Sequence, residues 1–291
     1  MTEQTTAVGA TELARTGEVQ ISTAIDYGAL TGLIGTWVGN QGFNMIALPN
    51  QQGGFGLLVA PYTETLTITA VPATTPDRGL TSIVQIPTLQ YATTISDSRD
   101  NALMHVEAGF WETIPAADNG GFDIFRLATI PHGDALTAMG NSSTIAGPPT
   151  IDQTLSGVPT GALPALNGYL DVYGPPFEFA NYSPSYPNHY LQYVLDQQTA
   201  MGSTITSTTQ LDISTLNQGG ISNIAMVGNN TPTTQFDATW WIETLVDSAG
   251  QTTQQLQYSQ RTLMSFPIKS DAPGTTIVWP HININTLTLQ V

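Results

Sequence analysis

Residues 64–69, Glu64-Thr65-Leu66-Thr67-Ile68-Thr69, alternate in character at a period of two, the pattern of a strand that turns one face to a core and one to solvent. The same alternation returns in Thr204-Ile205-Thr206 and in Ile282-Asn283-Ile284-Asn285. Working outward from these stretches, β-branched residues are abundant, and Gly, Pro and Asn punctuate the runs at short intervals. Antiparallel sandwiches and barrels are written this way. Long amphipathic helices are not visible. The best helical candidates are short, one around Thr11 to Arg15 and one within Asp26 to Ile34, where Leu30, Leu33 and Ile34 recur at helical spacing. The chain carries 27 Gly and 19 Pro with no internal repeat, which argues against a doubly wound α/β fold and a solenoid. The expected class is all-β and antiparallel.

The 291 residues suit one large β domain able to bury a full core. Six Lys and Arg stand against 22 Asp and Glu, a net charge of −16, so the basic footprint of a nucleic-acid binder is missing. Charged residues make up only 10% of the chain and apolar ones 41%, which is not the composition of a disordered protein. There is no cysteine, which excludes disulfides, thiol catalysis and Cys-ligated metal. The first residues lack a basic start followed by an apolar run, and no stretch approaches the length of a membrane span. We read a soluble, cytoplasmic protein with no nucleic acid or membrane partner.

One segment breaks the strand pattern. From about Gly147 to Pro187 the chain is dense in Pro, Gly and Tyr, and few strands tolerate such prolines. A loop this long is uncommon unless it caps a site or links domains. It is expected to be an insertion, about 147–199, in a single domain spanning 1–291 whose barrel comprises 25–146 and 200–291. Tyr169, Tyr173, Phe177, Phe179, Tyr182 and Tyr186 are its anchors. The first expectation is an ordered lid over the barrel mouth. Its rival is an arm that wraps a second copy in a homodimer.

Catalytic signatures are sparse. Of the four histidines, His105, His132, His189 and His281, none sits in H-E-x-x-H or H-x-H spacing, which disfavours a metal hydrolase. G-x-S-x-G, G-x-G-x-x-G and the P-loop are absent. More informative is Leu103-Met104-His105-Val106-Glu107-Ala108-Gly109-Phe110-Trp111. As a strand it places Met104, Val106 and Phe110 on one face and His105, Glu107 and Trp111 on the other. Adjacent residues Met104 and His105 reach one pocket only if a bulge re-aims one of them. Near the C-terminus, Trp279-Pro280-His281 opens another strand in which His281 shares parity with Asn283 and Asn285.

Leu33-Ile34-Gly35-Thr36-Trp37-Val38-Gly39-Asn40-Gln41-Gly42 resembles the opening signature of the nitrobindin family, G-T-W-x-G-x-G, with two residues instead of one between Gly39 and Gly42. Met104-His105 with Glu107 and Gly109 resembles the family's M-H-x-E-x-G strand, and Pro280-His281 its C-terminal P-H. Tyr62-Thr63-Glu64, the Ile86–Tyr91 strand, Met226-Val227-Gly228-Asn229-Asn230 as a V-G-N turn, and Leu256-Gln257-Tyr258-Ser259 resemble further family segments in the same order. The likeness runs over about residues 29–130 and 205–291; the insertion has no counterpart in compact members.

The resemblance implies a ten-stranded antiparallel calycin-like barrel with one haem b in its mouth. By the family's pattern His281 is the proximal iron ligand, Met104 and His105 form the distal wall and act in any catalysis, and Thr36 and Trp37 of the opening lie with the cofactor. The alternative ligand is His189. Haem held by one neutral histidine keeps a position open for small ligands, and the family's chemistry implies nitric oxide binding, peroxynitrite isomerisation or a weak peroxidase activity. A carrier or sensor without turnover, and a haem-free calycin holding a fatty acid or other apolar ligand, remain open, because fold does not fix function.

Overall fold

Period-two alternation carries through most of the chain, and the strands it builds close on themselves. The computed structural model describes residues 25–49, 55–78, 82–114, 120–161, 179, 181–267 and 276–290. Its strands are β1 (Gly35–Pro49), β2 (Phe55–Ala70), β3 (Thr75–Arg78), β4 (Ile83–Ile86), β5 (Thr88–Asp97), β6 (Leu103–Thr113) and β7 (Ile124–Ile130). They continue with β8 (Asp134–Ala146), β9 (Thr160–Gly161), β10 (Thr204–Ser214), β11 (Gly220–Asn223), β12 (Thr233–Val246), β13 (Thr252–Pro267) and β14 (Thr276–Leu289). Neighbours run antiparallel in the order β1-β2-β5-β6-β7-β8-β10-β12-β13-β14, and β14 pairs back onto β1. Ten strands thus form a closed antiparallel barrel, which leaves no open edge. β11 extends the wall beside β8, β9 adds to the start of β14, and β3 and β4 make a separate two-stranded ribbon.

Inward parity is set by large side chains. Leu66 and Ile68 of β2, Leu89 and Tyr91 of β5, Trp111 of β6, Trp240 of β12 and Tyr258 of β13 fill the base of the barrel. The expected helix within Asp26–Ile34 is a 3₁₀ helix, Gly28–Leu33, whose Leu30 and Leu33 plug that base. Leu33 O accepts a hydrogen bond from Trp37 Nε1 at 2.8 Å, so the chain closes the barrel as it begins the first strand. The other short helix expected near Thr11 lies outside the described residues. Residues expected to form a V-G-N turn instead make one short helix, Ala225–Asn230, after β11.

The outer wall of β1, β12 and β14 is apolar, which a free barrel face would not be. Phe43, Met45, Trp241, Ile282 and Ile284 point outward there and are buried. What covers them is the inserted segment: Ile151, Tyr182, and Leu191 and Leu195 of the helix His189–Ala200. The Phe43 ring packs, tilted, against Phe179 and Tyr182, with centroids 5.2 Å and 4.4 Å away. Fully burying each such aliphatic side chain contributes about 1.5–3 kcal/mol. The described part of the insertion thus packs on the outer wall and, through β9, reaches the mouth end of β14; the rest of the segment expected to form the lid lies outside the described residues. β8 ends at the barrel base and β10 starts there, so the connection leaves and returns at the end opposite the mouth. Phe179, Tyr182 and Tyr186 are described; Tyr169, Tyr173 and Phe177 lie outside the described residues. No described helix is long and apolar enough to cross a membrane.

Under that helix sits Glu243, on the outward face of β12 and fully buried. Gln255 Nε2 donates to its Oε2 at 2.6 Å, and Gln255 is in turn bonded to Gln198 of the helix. Its Oε1 has no hydrogen-bond partner among the described residues. Burial pushes this carboxyl up to about 8, against the lesser pull of Gln255. Because the folded value lies above the unfolded one, the folded state holds the proton more tightly. Stability from this group is full below pH 4.5 and is lost as pH rises to about 8. Glu243→Gln is expected to flatten that loss, making the variant more stable than the parent at pH 8–9 by several kcal/mol (roughly 1.4 kcal/mol per pKa unit) and similar at pH 4; equal pH profiles in chemical denaturation would contradict the assignment.

Candidate functional site

The mouth half of the barrel is hollow, with a cavity of about 440 Å³, within the range of small-ligand pockets. Its walls are largely aliphatic and aromatic, from Ile46 and Leu58 to Phe236 and Trp240. Polar groups enter at a few points, and two irregularities in the strands decide which.

The first is in β1. Gly39 opposes Glu64 and Gly42 opposes Tyr62, so two β1 residues, Asn40 and Gln41, stand against the single Thr63. This bulge switches the inward positions of β1 from odd at Trp37 to even at Asn44. Asn44 then faces His281, and Asn44 Oδ1 lies 2.6 Å from His281 Nε2. Gly42 must be glycine for space, since a Cβ there would lie 2.7 Å from the Tyr62 ring and from the Asn285 side chain.

The second is in β6. Ile95 pairs with His105 but Ser96 with Leu103, leaving Met104 as an extra residue. The bulge brings Met104 and His105 to the same cavity, the condition that alternation alone forbids. Beyond it, His105, Glu107, Gly109 and Trp111 keep odd inward parity. Gly109 leaves room for the Tyr91 ring, which would come within 2.9 Å of a Cβ.

His281 is held neutral. Burial, with the neighbouring His105 and His132, pushes its imidazole down to about 4. Asn44 Oδ1 also accepts from Asn283 Nδ2 at 3.1 Å, so that oxygen is an acceptor and His281 Nε2 carries the proton. The lone pair is then on Nδ1, as a metal ligand requires of one ring nitrogen.

Apart from Glu64, which is held by Tyr258, Asn285 and Thr93, the carboxylates and the arginine of the cavity are paired inside it. Arg126, 2% exposed, bonds Glu107, Tyr91 Oη at 3.0 Å and Gln260 Oε1 at 2.6 Å. Its guanidinium lies over the rings of Tyr91, Trp111, Phe236 and Trp240 at 5.0–5.6 Å, an aromatic box that stabilises a desolvated cation. Burial opposes ionisation of Glu107, but Arg126 and the bonds from His105 and Tyr91 prevail and hold its carboxyl down to about 2. His105 Nε2 lies 3.5 Å from Glu107 Oε2, and His132 Nε2 lies 2.8 Å from Asp134 Oδ2.

Of the expected site residues, the structure brings His281, His105 and Met104 to one cavity. Thr36 and Trp37 are elsewhere. Trp37 is buried in the plug at the base, and Thr36 is on the other face, 3.5 Å from Thr67 Oγ1, because both precede the β1 bulge. His189 is exposed on the outer wall, stacked on Tyr186 at 5.3 Å and 3.2 Å from Gln153 O. Unforeseen were Asn44, Arg126, His132 and Glu64. A lone arginine in the apolar run Ile124-Phe125-Arg126-Leu127 was the one signal for Arg126. Among the described residues, no group of three or more His, Asp or Glu is arranged to hold a bare metal ion.

No protein-family model matches the chain, and no curated protein matches it. Among solved structures, a crystal structure of Rv2717c from M. tuberculosis is similar, at 14% identity and a TM-score of 0.46, over 91% of this chain and 100% of that one. A likeness of that size carries no argument, and the barrel rests on its own strand pairings.

Removing one partner of the buried ion pair should be costly. Arg126→Met is expected to destabilise the fold by about 3–5 kcal/mol, because Glu107 is left as an unpaired buried charge, and Glu107→Gln in the same chain should recover part of it. A double-mutant cycle in denaturant measures this; additive losses would show that the pair is not coupled.

Proposed function

We propose that the barrel is a haem b-binding protein that handles small ligands at ferric iron, with His281 as the proximal ligand. The single observation that carries this reading is the neutral, desolvated imidazole of His281 on the wall of an apolar cavity, its Nε2–H tied to Asn44 and its Nδ1 lone pair free of the proton. These residues fit a haem: the donor is unprotonated, a second group orients it, and the walls are apolar. When bound, haem would supply a Lewis-acidic iron with one open position for a diatomic, a peroxide or peroxynitrite.

What the chain's own residues do there follows from their bonds. Asn44 holds the His281 ring and fixes its tautomer. His105, oriented by Glu107, presents an imidazole to the ligand side, and Met104 provides a soft apolar neighbour. The Arg126 and Glu107 pair fixes the floor without adding net charge. Peroxynitrite isomerisation, weak peroxidase activity and simple nitric oxide carriage all use this arrangement.

A second reading, a haem-free carrier of a fatty acid or other apolar ligand, is favoured by the largely apolar walls. One titration separates the two. Adding ferric haem to the purified protein is expected to give a saturable Soret band at one haem per chain. His281→Ala should lose the band or shift it, and His105→Ala should keep it while changing nitric oxide or peroxide association rates. A protein that refuses haem but takes up a fluorescent fatty acid would establish the second reading, and an unchanged His281→Ala spectrum would remove His281 as the ligand.

A further inference from the structure

We infer that the cavity recognises a neutral carboxamide on an apolar molecule, with Gln260 as the donor and Asn283 as the acceptor. The inference rests on the carrier reading of the cavity, without haem. Gln260 and Asn283 are cross-strand partners on β13 and β14, which places their Cβ atoms about 4.5–5.5 Å apart. Both line the cavity and are half-buried.

Each of these amides is held at one end and open at the other. Arg126 Nη1 lies 2.6 Å from Gln260 Oε1. A guanidinium can only donate, so the atom it meets is the amide oxygen and the nitrogen is the end left over. Asn283 is held the opposite way, its Nδ2 donating to Asn44 Oδ1 at 3.1 Å, which leaves its oxygen over. Gln260 Nε2 and Asn283 Oδ1 have no hydrogen-bond partner among the described residues, and neither atom is sealed inside the wall. The cavity therefore presents one unused donor beside one unused acceptor. A carboxamide matches the pair: its oxygen accepts from Gln260 Nε2 and its N–H donates to Asn283 Oδ1.

The charges on the walls work against an ionic head group. A carboxylate needs a free cation, and each basic side chain on the described lining is already engaged. The three guanidinium nitrogens of Arg126 bond Tyr91, Gln260 and Glu107. His132 is 2.8 Å from Asp134, His105 is 3.5 Å from Glu107, and His281 is bonded to Asn44. A carboxylate would give up its water for the Gln260 N–H and would face the Asn283 oxygen, a poor exchange for a charge. An ammonium would meet Asn283 but leave Gln260 Nε2 without an acceptor. A ketone satisfies Gln260 alone. The tail of the ligand lies along the apolar walls, from Ile46 and Leu58 to Phe236.

Calorimetric titration of the haem-free full chain at pH 7 with ligands of one tail and different heads tests this. Decanamide should bind about tenfold or more tighter than decanoate, decylamine, decanol or the methyl ketone of the same chain, the scale of one or two matched hydrogen bonds. Gln260→Glu keeps an oxygen for Arg126 but turns the open end from donor to acceptor. It should weaken decanamide about tenfold and strengthen decylamine, an exchange that a merely structural role for Gln260 would not produce. The infrared C=O stretch of bound, isotope-labelled decanamide should lie low in the parent and rise in both Gln260→Glu and Gln260→Leu. Where Gln260→Leu does not fold, because Arg126 loses a partner, Gln260→Glu decides. Decanoate or decanol binding as tightly as decanamide, or an affinity and C=O frequency unchanged in Gln260→Glu, would overturn the inference. Uptake of every probe alike would leave the carrier reading standing and this inference wrong; uptake of none would remove both.

Discussion

Barrel closure with a one-residue excess on β1 between Gly39 and Gly42 is the constraint on which the site depends. A closed sheet fixes inside and outside for every strand at once, because a slip by one residue would turn a whole strand over. Within that frame the β1 bulge is the one place where β1 changes parity against β2. Below it Trp37 fills the base, and above it Asn44 reaches His281. Gly42 leaves space for the Tyr62 ring and Asn285, and Asn285, with Tyr258, donates to Glu64. One local irregularity thus lets a single strand serve both the plug at the base, through Trp37, and the His281 contact above it, through Asn44. The extra residue that loosens the match to the nitrobindin opening is therefore the residue that aims Asn44.

Charge inside the barrel follows a second rule, compensation within the wall. Arg126 is surrounded by rings and a carboxylate, Asp134 is met by His132, Glu64 sits in a chain of neutral hydroxyls, and His281 is kept neutral by burial. Such groups are costly unless satisfied. Here they are bound mostly to one another, and they surround an apolar space without filling it. A largely apolar pocket with a few fixed polar groups is the usual form of a small-ligand site.

Much of this was legible in the chain, and for identifiable reasons. Alternation at Glu64–Thr69 and at Ile282–Asn285 read correctly as strands, because half-buried strands write their faces into sequence. The bulge needed to bring Met104 and His105 together could be stated as a condition, and the pairing of β5 with β6 meets it. Partners across the barrel were not legible. Asn44 and His281 are 237 positions apart, and nothing local in either strand announces the other. The insertion was legible only in part, for a related reason. Its prolines and tyrosines signalled an ordered cover, but which surface it covers depends on the outward apolar residues Phe43, Met45, Ile282 and Ile284, which alternation alone reads as interior just as readily. Thr36 and Trp37 were carried along with the opening motif, although they lie on the base side of the bulge.

The central claim is that a haem would sit in the mouth cavity against His281 and not on the outer wall, where His189 stands exposed beside the inserted helix. The most direct measurement is the nuclear magnetic resonance spectrum of isotope-labelled protein titrated with ferric haem, whose paramagnetism broadens nearby nuclei. The account predicts selective broadening of His281, His105, Met104 and Asn44, with the helix His189–Ala200 unaffected. Broadening centred on His189 and Tyr186, with the cavity residues unchanged, would contradict it.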